Sequence, residues 1–481
     1  MLSGRFPDGG APCPHGCLID TPAVRGAWAA LAHQACAREI RDLVATDPLR
    51  AAVLLRRYEK LYARLAAEEH DEAKPWMLRG RLFHQALSEA IWATSIGSAA
   101  RELGDAVPRL RGSLAEAARA ARTRLADQGR FTSNYTAWLN AAGAVCSGEE
   151  SWLVDEHGVY AHIREAVHDD GWEWEGSTYY HAFVLRAYLL ALQAVRQSEP
   201  TPDDVVDRLE RMADAFGAVT TSGGLVAALN DGPYERVETQ REYDELRRLL
   251  RTALPSRTVR TEAQKPVVVF PDAGYAVLRG NGVHAILDFG PHGGAHGHRD
   301  KLSLYLYGAT QPWQPDPGQV PYGHRHWRDY YASTAAHPTF TVDGAEQAPC
   351  SGRLESADAR GVVAVCDSAY PGVTARRGVR LDGETLVDEV VVTSERPARL
   401  ALQLRPDVPL TLRGGTTRWG VGAQTLIGRH ECGDPAAVLT AVPGPGPADD
   451  PQRVRTHVEW AAEAAVEATF RSTYRVEKGD V

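Results

Sequence analysis

The sequence predicts an α+β protein of more than one domain, in which a helical half is followed by an antiparallel β half. The chain has 481 residues, which exceeds the usual size of a single domain. From about residue 24 to 250, apolar residues recur every three or four positions, as on the buried face of a helix. From about residue 266, short β-branched and aromatic runs alternate with Gly, Pro and Asp, as in strands joined by turns.

The helical pattern is clearest in five segments of the first half. Pro and Gly separate them, because Pro lacks an N–H donor and Gly admits the left-handed turns that end helices. The segments are AWAALAHQACAREIRDLV, AAVLLRRYEKLYARLAAEE, RLFHQALSEAIWATSIGSAARELG, LRGSLAEAARAARTRLADQ and TYYHAFVLRAYLLALQAVR. Short connections between many helices predict antiparallel helical hairpins packed side by side.

The second half contains the strand-like runs and shows no alternation of strands with helices. The runs include VVVF, YAVLR, HAILDFG, LSLYLY, TFTVDG, GVVAVC, LVDEVVVTS and RLALQL. This pattern predicts an antiparallel β-sandwich; only the stretch near Val458–Val466 has a helical pattern. We therefore divide the chain into a flexible N-terminal tail, a helical domain, a linker and a β domain, at residues 1–23, 24–250, 251–265 and 266–481.

Composition limits the classes of function. A formal net charge of -9 argues against non-specific nucleic-acid binding. The longest apolar runs are too short to span a membrane. The N-terminal residues have no signal-peptide core, and seven scattered cysteines suit free thiols in a reducing compartment, so we expect a cytoplasmic protein. Nothing in the sequence indicates an oligomeric state.

The densest polar cluster is the segment FGPHGGAHGHRDK, which lies between two predicted strands and contains His292, His296 and His298. Histidines two positions apart in an extended segment point the same way, so they either bind one ion or divide roles. Asp316 and His337 stand at further strand ends. With His298 they provide two nitrogens and one oxygen, a set suited to zinc or another divalent ion. The alternative is a solvent-exposed polar loop.

The helical half contains a second unusual segment, DGWEWEGSTYYH at 170–181, in which an aromatic, acidic loop runs into a helix. Ser177 or Thr178 can cap that helix, which places the tyrosines in its first turn. Aromatic core packing is the alternative. A third segment, FTSNYTAW, places Asn134 at a helix start, where a plain N-cap is the alternative. His84, Gln85 and Glu89 share one predicted helical face, where a satisfied buried polar patch is favoured over catalysis.

From about residue 25 to its end, the chain resembles the heparinase II/III-like polysaccharide lyases, which include oligoalginate and heparin/heparan lyases. The resemblance rests on DGWEWEGSTYYH and on the ordered series GGAHGHRDKLSLYLYG, DPG, Tyr322, Arg328 and STAAHPTFTVDG. It implies an incomplete α/α toroid followed by an antiparallel β-sandwich, in agreement with the patterns above. It also implies β-elimination at a uronic acid, in which a base removes the C5 proton and an acid protonates the glycosidic oxygen at C4.

The resemblance further implies roles for individual residues. Tyr180 corresponds to the catalytic tyrosine, with Tyr179 as the alternative, and His296 to a second acid or base. Asn134 corresponds to the group that neutralises the substrate carboxylate, which the weakly acidic C5 proton requires. A tyrosine of ordinary pKa needs nearby positive charge to act as a phenolate.

The remaining implied residues bind substrate or metal. His298, Asp316 and His337 correspond to ligands of one divalent ion, expected to be zinc and mainly structural. The expected substrate contacts are Tyr135, His181, Glu175, Gln85, Trp172, Tyr322 and Arg328. Two positions depart from the family pattern. Tyr135 stands where many relatives have His, and Pro338 stands where relatives usually have Asn.

Three alternative functions stay open. The first is a glycoside hydrolase that uses Glu173 or Glu175 in a carboxylate pair. The second is a non-catalytic protein that binds uronate glycans. The third is a dinuclear metallohydrolase, since His296-Gly-His298-Arg-Asp300 begins such a motif, although Lys301 stands where the motif needs His.

For a lyase we expect an exo-acting or oligosaccharide-preferring mode. No export signal is visible, so the enzyme is expected to meet sugars that have already been imported. Bulky loops could also close one end of a cleft into a pocket. The aromatic residues of those loops are Trp172, Trp174, Trp313, Tyr322 and Trp327.

Overall fold

A computed structural model describes residues 6–12, 17–66, 77, 80–104, 107–234, 237–253, 265–322, 324–420 and 424–478. The chain divides into two compact units. The first comprises Met1–Ala166 and Val184–Val205, and the second comprises Val167–Phe183 and Val206–Val481. The predicted linker, 251–265, lies mostly outside the described residues, so the predicted domain limits stay predictions.

The first unit is helical, preceded by a short antiparallel ladder of β1 (Ala11–Pro12) and β2 (Leu18–Ile19). Its helices are α1 (Pro22–Thr46), α2 (Pro48–Ala66), α3 (Ala86–Glu102), α4 (Pro108–Asp127), α5 (Asn134–Ser147), α6 (Ser151–Val154) and α7 (Val159–Ala166). Helix α5 consists mostly of apolar residues and is buried along almost its whole length, which places it at the centre of this unit. Gly97 of α3 permits close packing, since a Cβ there would lie 2.7 Å from the Cys146 sulfur of α5.

Helix α3 begins later than the sequence pattern suggests, and Glu89 explains why. Its Oε2 accepts the backbone N–H groups of Arg81, Leu82 and Phe83, at 2.6, 2.8 and 3.2 Å. Its Oε1 accepts the Tyr62 hydroxyl at 2.6 Å. These bonds hold 81–83 outside the helix and satisfy the buried Glu89. The predicted shared helical face is wrong for His84 and Gln85, because the helix begins only at Ala86 and His84 is exposed.

Two helices belong partly to each unit: α8 (Thr178–Ala194) begins in the second unit, and α9 (Asp203–Ala218) ends in it. Two more helices, α10 (Val237–Ala253) and α11 (Arg325–Tyr331), lie entirely within the second unit. The smaller sheet is an antiparallel meander of β3 (Val267–Phe270), β4 (Tyr275–Gly280), β5 (Val283–Asp288), β6 (Leu304–Tyr307) and β7 (Pro312–Gln314). Among the described residues, no helix is both long and apolar enough to cross a membrane.

The larger sheet is also antiparallel and has the strand order β13-β14-β15-β17-β12-β11-β10-β9, with β8 paired to β12 and β16 to β17. Its strands are β8 (Phe340–Val342), β9 (Arg353–Ala357), β10 (Gly361–Cys366), β11 (Val373–Asp382), β12 (Thr385–Leu404), β13 (Leu410–Arg413), β14 (Thr416–Trp419), β15 (Gln424–Cys432), β16 (Val438–Pro445) and β17 (Val454–Lys478). One hydrophobic core joins side chains of both sheets, such as Leu278 and Val390, so the second unit contains a β-sandwich.

Two expectations from the sequence are wrong here. The stretch near Val458–Val466 belongs to strand β17, because β12 and β16 pair with it on its two sides and outweigh the helix propensity of its alanines. Cys17 is disulfide-bonded, whereas Cys36, Cys146, Cys350, Cys366 and Cys432 are free thiols. The segment 13–16 lies outside the described residues.

Candidate active site

The aromatic, acidic loop positions Tyr180 at the start of α8. Ser177 caps this helix, since its Oγ accepts the Tyr180 N–H at 3.4 Å and its carbonyl accepts the His181 N–H at 2.9 Å. The loop returns tightly at Gly171, which has a φ of 95°. A Cβ at Gly171 would lie 2.5 Å from the Arg211 backbone, so only glycine fits.

The glycine-rich segment presents His296 to that tyrosine. Gly293 and Gly294 adopt positive φ values of 78° and 61°, and a 3₁₀ turn over Gly294–His296 follows. The His296 ring stacks on the Tyr180 ring, with centroids 4.0 Å apart and planes 27° apart. The His296 carbonyl accepts the Asp231 N–H at 3.2 Å. Both rings belong to the second unit and form the centre of the candidate site.

A hydrogen-bonded network surrounds this ring pair. The Tyr180 and Tyr322 hydroxyls lie 2.8 Å apart, and the Tyr322 hydroxyl lies 3.2 Å from His296 Nδ1. The Arg328 guanidinium stands over the Tyr322 ring at 4.0 Å, and it donates to Asp231 Oδ2 at 2.7 Å. We call the set of Tyr180, His296, Tyr322, Asp231 and Arg328 the tyrosine–histidine cluster.

Asp231 is the member of this cluster that the sequence did not reveal. Its Oδ2 lies 3.0 Å from His296 Nδ1, and its Oδ1 lies 3.4 Å from His298 Nε2. Although burial opposes ionisation, hydrogen bonds from both histidines and Arg328 hold the pKa of Asp231 well below its ordinary value. In sequence it belongs to Asn-Asp-Gly, which reads as a common turn. The cluster therefore contains a carboxylate that stays ionised.

The electrostatic environment of Tyr180 differs from the expectation of nearby positive charge. Burial raises the pKa of Tyr180, and Tyr322, Asp231 and Glu175 raise it further. The phenol therefore holds its proton firmly at neutral pH, a state suited to a proton donor. The Tyr179 ring meets the Tyr180 ring edge-on and stacks on Phe183, with centroids 5.6 Å apart in both contacts, whereas Tyr180 is the tyrosine that stacks on His296. This geometry favours Tyr180 over Tyr179.

The two glutamates of the loop differ in access to the site. Glu175 Oε1 lies 3.5 Å from His296 Nε2, whereas Glu173 is 1% exposed. Burial and the charge of Glu175 raise the pKa of Glu173 well above its ordinary value. Glu173 Oε2 accepts the Glu175 N–H at 3.0 Å, so Glu173 serves the loop backbone. A carboxylate buried in this way lacks the solvent access that a hydrolase pair needs.

Trp172 and His181, two expected substrate contacts, lie in the core. Trp172 is 0% exposed and its ring centroid lies 4.9 Å from those of His181 and Tyr275. His181 Nδ1 accepts the Glu173 N–H at 3.2 Å, and Nε2 donates to the Met212 carbonyl at 2.9 Å. The expectation that they touch substrate is therefore not supported. They hold the loop in place.

Three further expected residues lie in the first unit, Asn134, Tyr135 and Gln85. Ser133 caps α5, because its Oγ accepts the Tyr135 N–H at 3.3 Å; Asn134 is the first helical residue and not the plain N-cap. The Gln85 amide donates to the Tyr135 hydroxyl at 2.7 Å. The roles of these residues stay predictions.

The expected metal ligands converge, and a fourth residue joins them. His298, Asp300, Asp316 and His337 are all buried, and each provides a ligand atom within 4.8 Å of the others. We call these four residues the buried His–Asp cluster. Asp300 also accepts the Tyr305 hydroxyl at 2.8 Å and lies 3.0 Å from Lys301 Nζ. His296 turns to Asp231 instead of joining the four, which argues against the dinuclear motif.

The hydrogen bonds of this cluster fit a bound cation. His337 Nδ1 donates to the Ser333 carbonyl at 2.8 Å, which leaves a lone pair on Nε2. His298 Nε2 faces the Asp231 carboxylate, so the neutral ring carries its lone pair on Nδ1. Although burial opposes it, the hydrogen bond to Asp231 raises the pKa of His298, so a bound cation would replace a proton on Nδ1. The two nitrogens lie 3.1 Å apart, a spacing that one divalent ion between them would fit. Burial raises the pKa of Asp316 to about 7, and a bound cation would stabilise its ionised carboxylate. Burial lowers the pKa of His337 to about 4, so this ring is neutral and able to bind a cation.

Comparison with known proteins agrees with this architecture. Residues 262–465 match the family model described as Heparinase II/III-like, C-terminal, which confirms the predicted resemblance. No curated protein sequence matches the chain. A solved heparinase III gene product with methylated lysines is 13% identical, with 96% of this chain and 79% of that chain covered and a TM-score of 0.71.

Two further solved structures have the same arrangement. A heparan sulfate lyase mutant from Pedobacter heparinus is 14% identical, with 96% of this chain and 78% of that one covered and a TM-score of 0.68. A chondroitin AC lyase from Streptomyces coelicolor A3, in complex with chondroitin sulphate, is 12% identical, with coverages of 98% and 78% and a TM-score of 0.53. The predicted fold class, an incomplete α/α toroid followed by an antiparallel β-sandwich, is confirmed.

Proposed function

We propose that this chain, whose residues 262–465 belong to the heparinase II/III-like family, is a polysaccharide lyase that cleaves a uronic-acid glycan by β-elimination. One observation carries the proposal. Tyr180, Tyr322 and His296 form a hydrogen-bonded group in which a protonated phenol lies against an imidazole. β-Elimination needs such a pair, because one group must remove the C5 proton and another must protonate the leaving oxygen.

His296 acts as the base in this proposal. The Asp231 carboxylate, 3.0 Å from Nδ1, favours the tautomer with the proton on Nδ1. Nε2 then carries the lone pair that accepts the C5 proton. The resulting imidazolium is stabilised by the same carboxylate and by Glu175 at 3.5 Å from Nε2. A positioned base of this kind contributes about 10²–10⁴ in rate.

Tyr180 acts as the acid. Its raised pKa keeps the proton on the phenol until the C4–oxygen bond begins to break. The developing charge on the glycosidic oxygen then accepts that proton. The Tyr322 hydroxyl, 2.8 Å away, is placed to donate to the phenolate that remains and so to stabilise it.

The remaining roles rest on the sequence and on the buried cluster. Asn134 stays the predicted neutraliser of the substrate carboxylate. A divalent ion, for which zinc is the first choice, would be held by His298, Asp316 and His337, with Asp300 as a fourth ligand. When bound it would supply structural bracing, because it would fix the segment that presents His296 two residues before His298.

The decisive experiment is an ultraviolet assay of the purified protein against a panel of uronate glycans, including alginate-, heparan- and hyaluronan-type polymers. Elimination leaves a C4–C5 double bond that absorbs in the ultraviolet, whereas hydrolysis releases a reducing end without absorbance. New reducing ends without absorbance would establish hydrolysis. Binding of these glycans without either signal would establish a non-catalytic binding protein.

We also propose a preference for oligosaccharides or an exo-acting mode. Trp172 and Trp313 are buried and cannot line a cleft. The support therefore reduces to Tyr322, which is 61% exposed, and to the half-buried Trp174 and Trp327. Size-resolved products from a long uronate polymer test this mode. A mono- or disaccharide from the first minutes supports it, and a ladder of intermediate sizes contradicts it.

A further inference from the structure

Two free cysteines of the β-sandwich lie in contact, outside the candidate site. The sulfurs of Cys350 and Cys366 are 3.7 Å apart, although the residues are 16 positions apart in sequence. Cys366 ends strand β10 and is 1% exposed, whereas Cys350 precedes β9 and is half-buried. A half-buried thiol can meet a small oxidant, and a buried thiol beside it can then react only with its neighbour.

The backbone already holds the two sulfurs together. The Ala348 N–H donates to the Ala369 carbonyl at 2.9 Å, and the Tyr370 hydroxyl donates to the Ala345 carbonyl at 2.9 Å. These bonds join the segment before Cys350 to the segment after Cys366. Forming an S–S bond therefore requires side-chain rotation and a small approach, because the chain segments are already side by side.

The chemistry of the pair suits thiol exchange. The S–H of Cys350 lowers the pKa of Cys366 to about 7, and the backbone N–H groups of Ser368 and Ala369 lower it as well, while burial opposes them. A thiolate fraction, the reactive form, is thus present on Cys366 near neutral pH, whereas the hydrogen bond to Cys366 and burial raise the pKa of Cys350. Cys432 of the same sandwich differs, since burial raises its pKa.

We propose that Cys350 and Cys366 form a reversible disulfide that fastens the Gly344–Cys350 segment to strand β10. With glutathione disulfide as the oxidant, Cys350 passes its proton to the Cys366 thiolate, 3.7 Å away, and attacks one glutathione sulfur. The first glutathione thiolate is released and takes up the proton from Cys366. The Cys366 thiolate then attacks the Cys350 sulfur and releases the second. Two protein thiols and one glutathione disulfide thus become one protein disulfide and two glutathione thiols.

The fastened segment supports the buried His–Asp cluster. Gln347 accepts the Lys301 N–H at 2.8 Å and donates to the Lys301 carbonyl at 3.1 Å, directly after Asp300. Glu346 accepts the Thr334 N–H at 2.8 Å, three residues before His337. The disulfide would therefore stabilise the segments that carry two of the four cluster residues, and it would also constrain the unfolded chain.

The test uses the full chain, reduced, freed of reductant and equilibrated with glutathione disulfide. We expect the intact mass to fall by two hydrogens beyond the two that the Cys17 disulfide accounts for. We also expect a peptide map that links Cys350 to Cys366, and a higher melting temperature that added reductant reverses. Cys432→Ser, a matched half-buried thiol, should behave like the wild type. Cys350→Ser should lose only the thiol pair of the Cys17 disulfide.

Three outcomes would overturn the proposal. They are a glutathione adduct that persists on wild-type Cys350, loss of the same thiol pair in Cys350→Ser, and an oxidised protein that melts no higher than the reduced one. Cys366→Ser should instead retain the glutathione adduct on Cys350. If that buried substitution prevents folding, the Cys350→Ser result alone tests the proposal. The measurement needs no substrate, so its result is independent of the proposed lyase activity.

Discussion

The tyrosine–histidine cluster and the buried His–Asp cluster each contain one histidine of the same glycine-rich segment. These histidines, His296 and His298, are two residues apart in the chain, yet their environments are opposite. The His296 side chain is 13% exposed and stacks on a tyrosine, whereas His298 is 0% exposed and faces another histidine. Asp231 contacts both, through different oxygens. The comparison teaches that burial, and not residue type, separates a side chain that can reach a substrate from one that can only hold the structure.

The buried cluster is also anchored from behind by the larger sheet. Arg377 and Asp388 form a bidentate ion pair, and both are 0% exposed. Arg377 Nη1 also donates to the carbonyls of Leu302 and Pro338, at 2.6 and 3.0 Å. These carbonyls lie beside Asp300 and His337, so strand β11 fixes two cluster segments at once. The tyrosine–histidine cluster has instead an exposed member, Tyr322.

The largest expected effect is on catalysis in the exposed cluster. Tyr180→Phe removes the proposed acid while it keeps the ring that stacks on His296, so we expect kcat to fall by about 10²–10⁴ with little change in melting temperature. The ultraviolet assay measures the rate. Tyr179→Phe is the matched control and should retain most activity. Activity in Tyr180→Phe close to wild type would transfer the role to Tyr179 or contradict elimination by this cluster.

The second largest expected effect is on the stability of the fold, through the buried His–Asp cluster. His337→Ala should lower the free energy of unfolding by about 1–3 kcal/mol, because the Ser333 carbonyl loses its hydrogen-bond donor. Loss of the proposed ion, which would lack one ligand, should lower it further. Metal analysis of protein purified without chelator should find one divalent ion in the wild type and less in the variant. His326→Ala, at an exposed position, is the control. A wild type whose melting temperature is unaffected by chelators would contradict the structural ion.

Asp231→Asn tests the residue that the two clusters share. It removes the charge that fixes the His296 tautomer but keeps a polar side chain of the same size. Loss of such a supporting partner typically costs about 10–100-fold in activity or metal affinity. We expect kcat to fall, KM to change little, and the pH dependence of kcat to shift. A variant that loses its metal and its stability together, with an unchanged pH profile when refilled, would reduce Asp231 to a structural role.

The sequence predicted the fold class and the convergence of His298, Asp316 and His337, because strand patterns and strand-end positions determine both. It did not predict Asp231, and it named Asp300 only as part of the dinuclear-metallohydrolase motif. The position of the Asp231 side chain depends on the left-handed backbone of Asn230, which has a φ of 57°. No sequence pattern predicts that conformation. The sequence also placed Trp172 and His181 among the substrate contacts, because the same aromatic motif can occur in a cleft lining and in a buried core. Burial is a property of the assembled unit and not of the motif.

The smallest expected effect concerns a buried histidine outside both clusters. His430 is 6% exposed, and its nitrogens lie 2.7 and 2.8 Å from the hydroxyls of Thr417 and Ser472. Burial lowers its pKa from 6.5 to about 4. Because the folded state resists protonation, this stability is complete above pH 6.5 and is lost as the pH falls towards 4.

The slope of that loss is about 1.4 kcal/mol per pH unit for one such histidine. Urea unfolding at several pH values between these limits should therefore show a shallower acid decline in His430→Gln than in the wild type. His326→Ala, at an exposed position, is the control and should leave the slope unchanged. An acid slope that is equal in His430→Gln and wild type would show that the ring is protonated within the fold. Burial would then not be enough to keep a histidine neutral in this sandwich, and the neutral state of His337 in the buried His–Asp cluster would lose its physical basis.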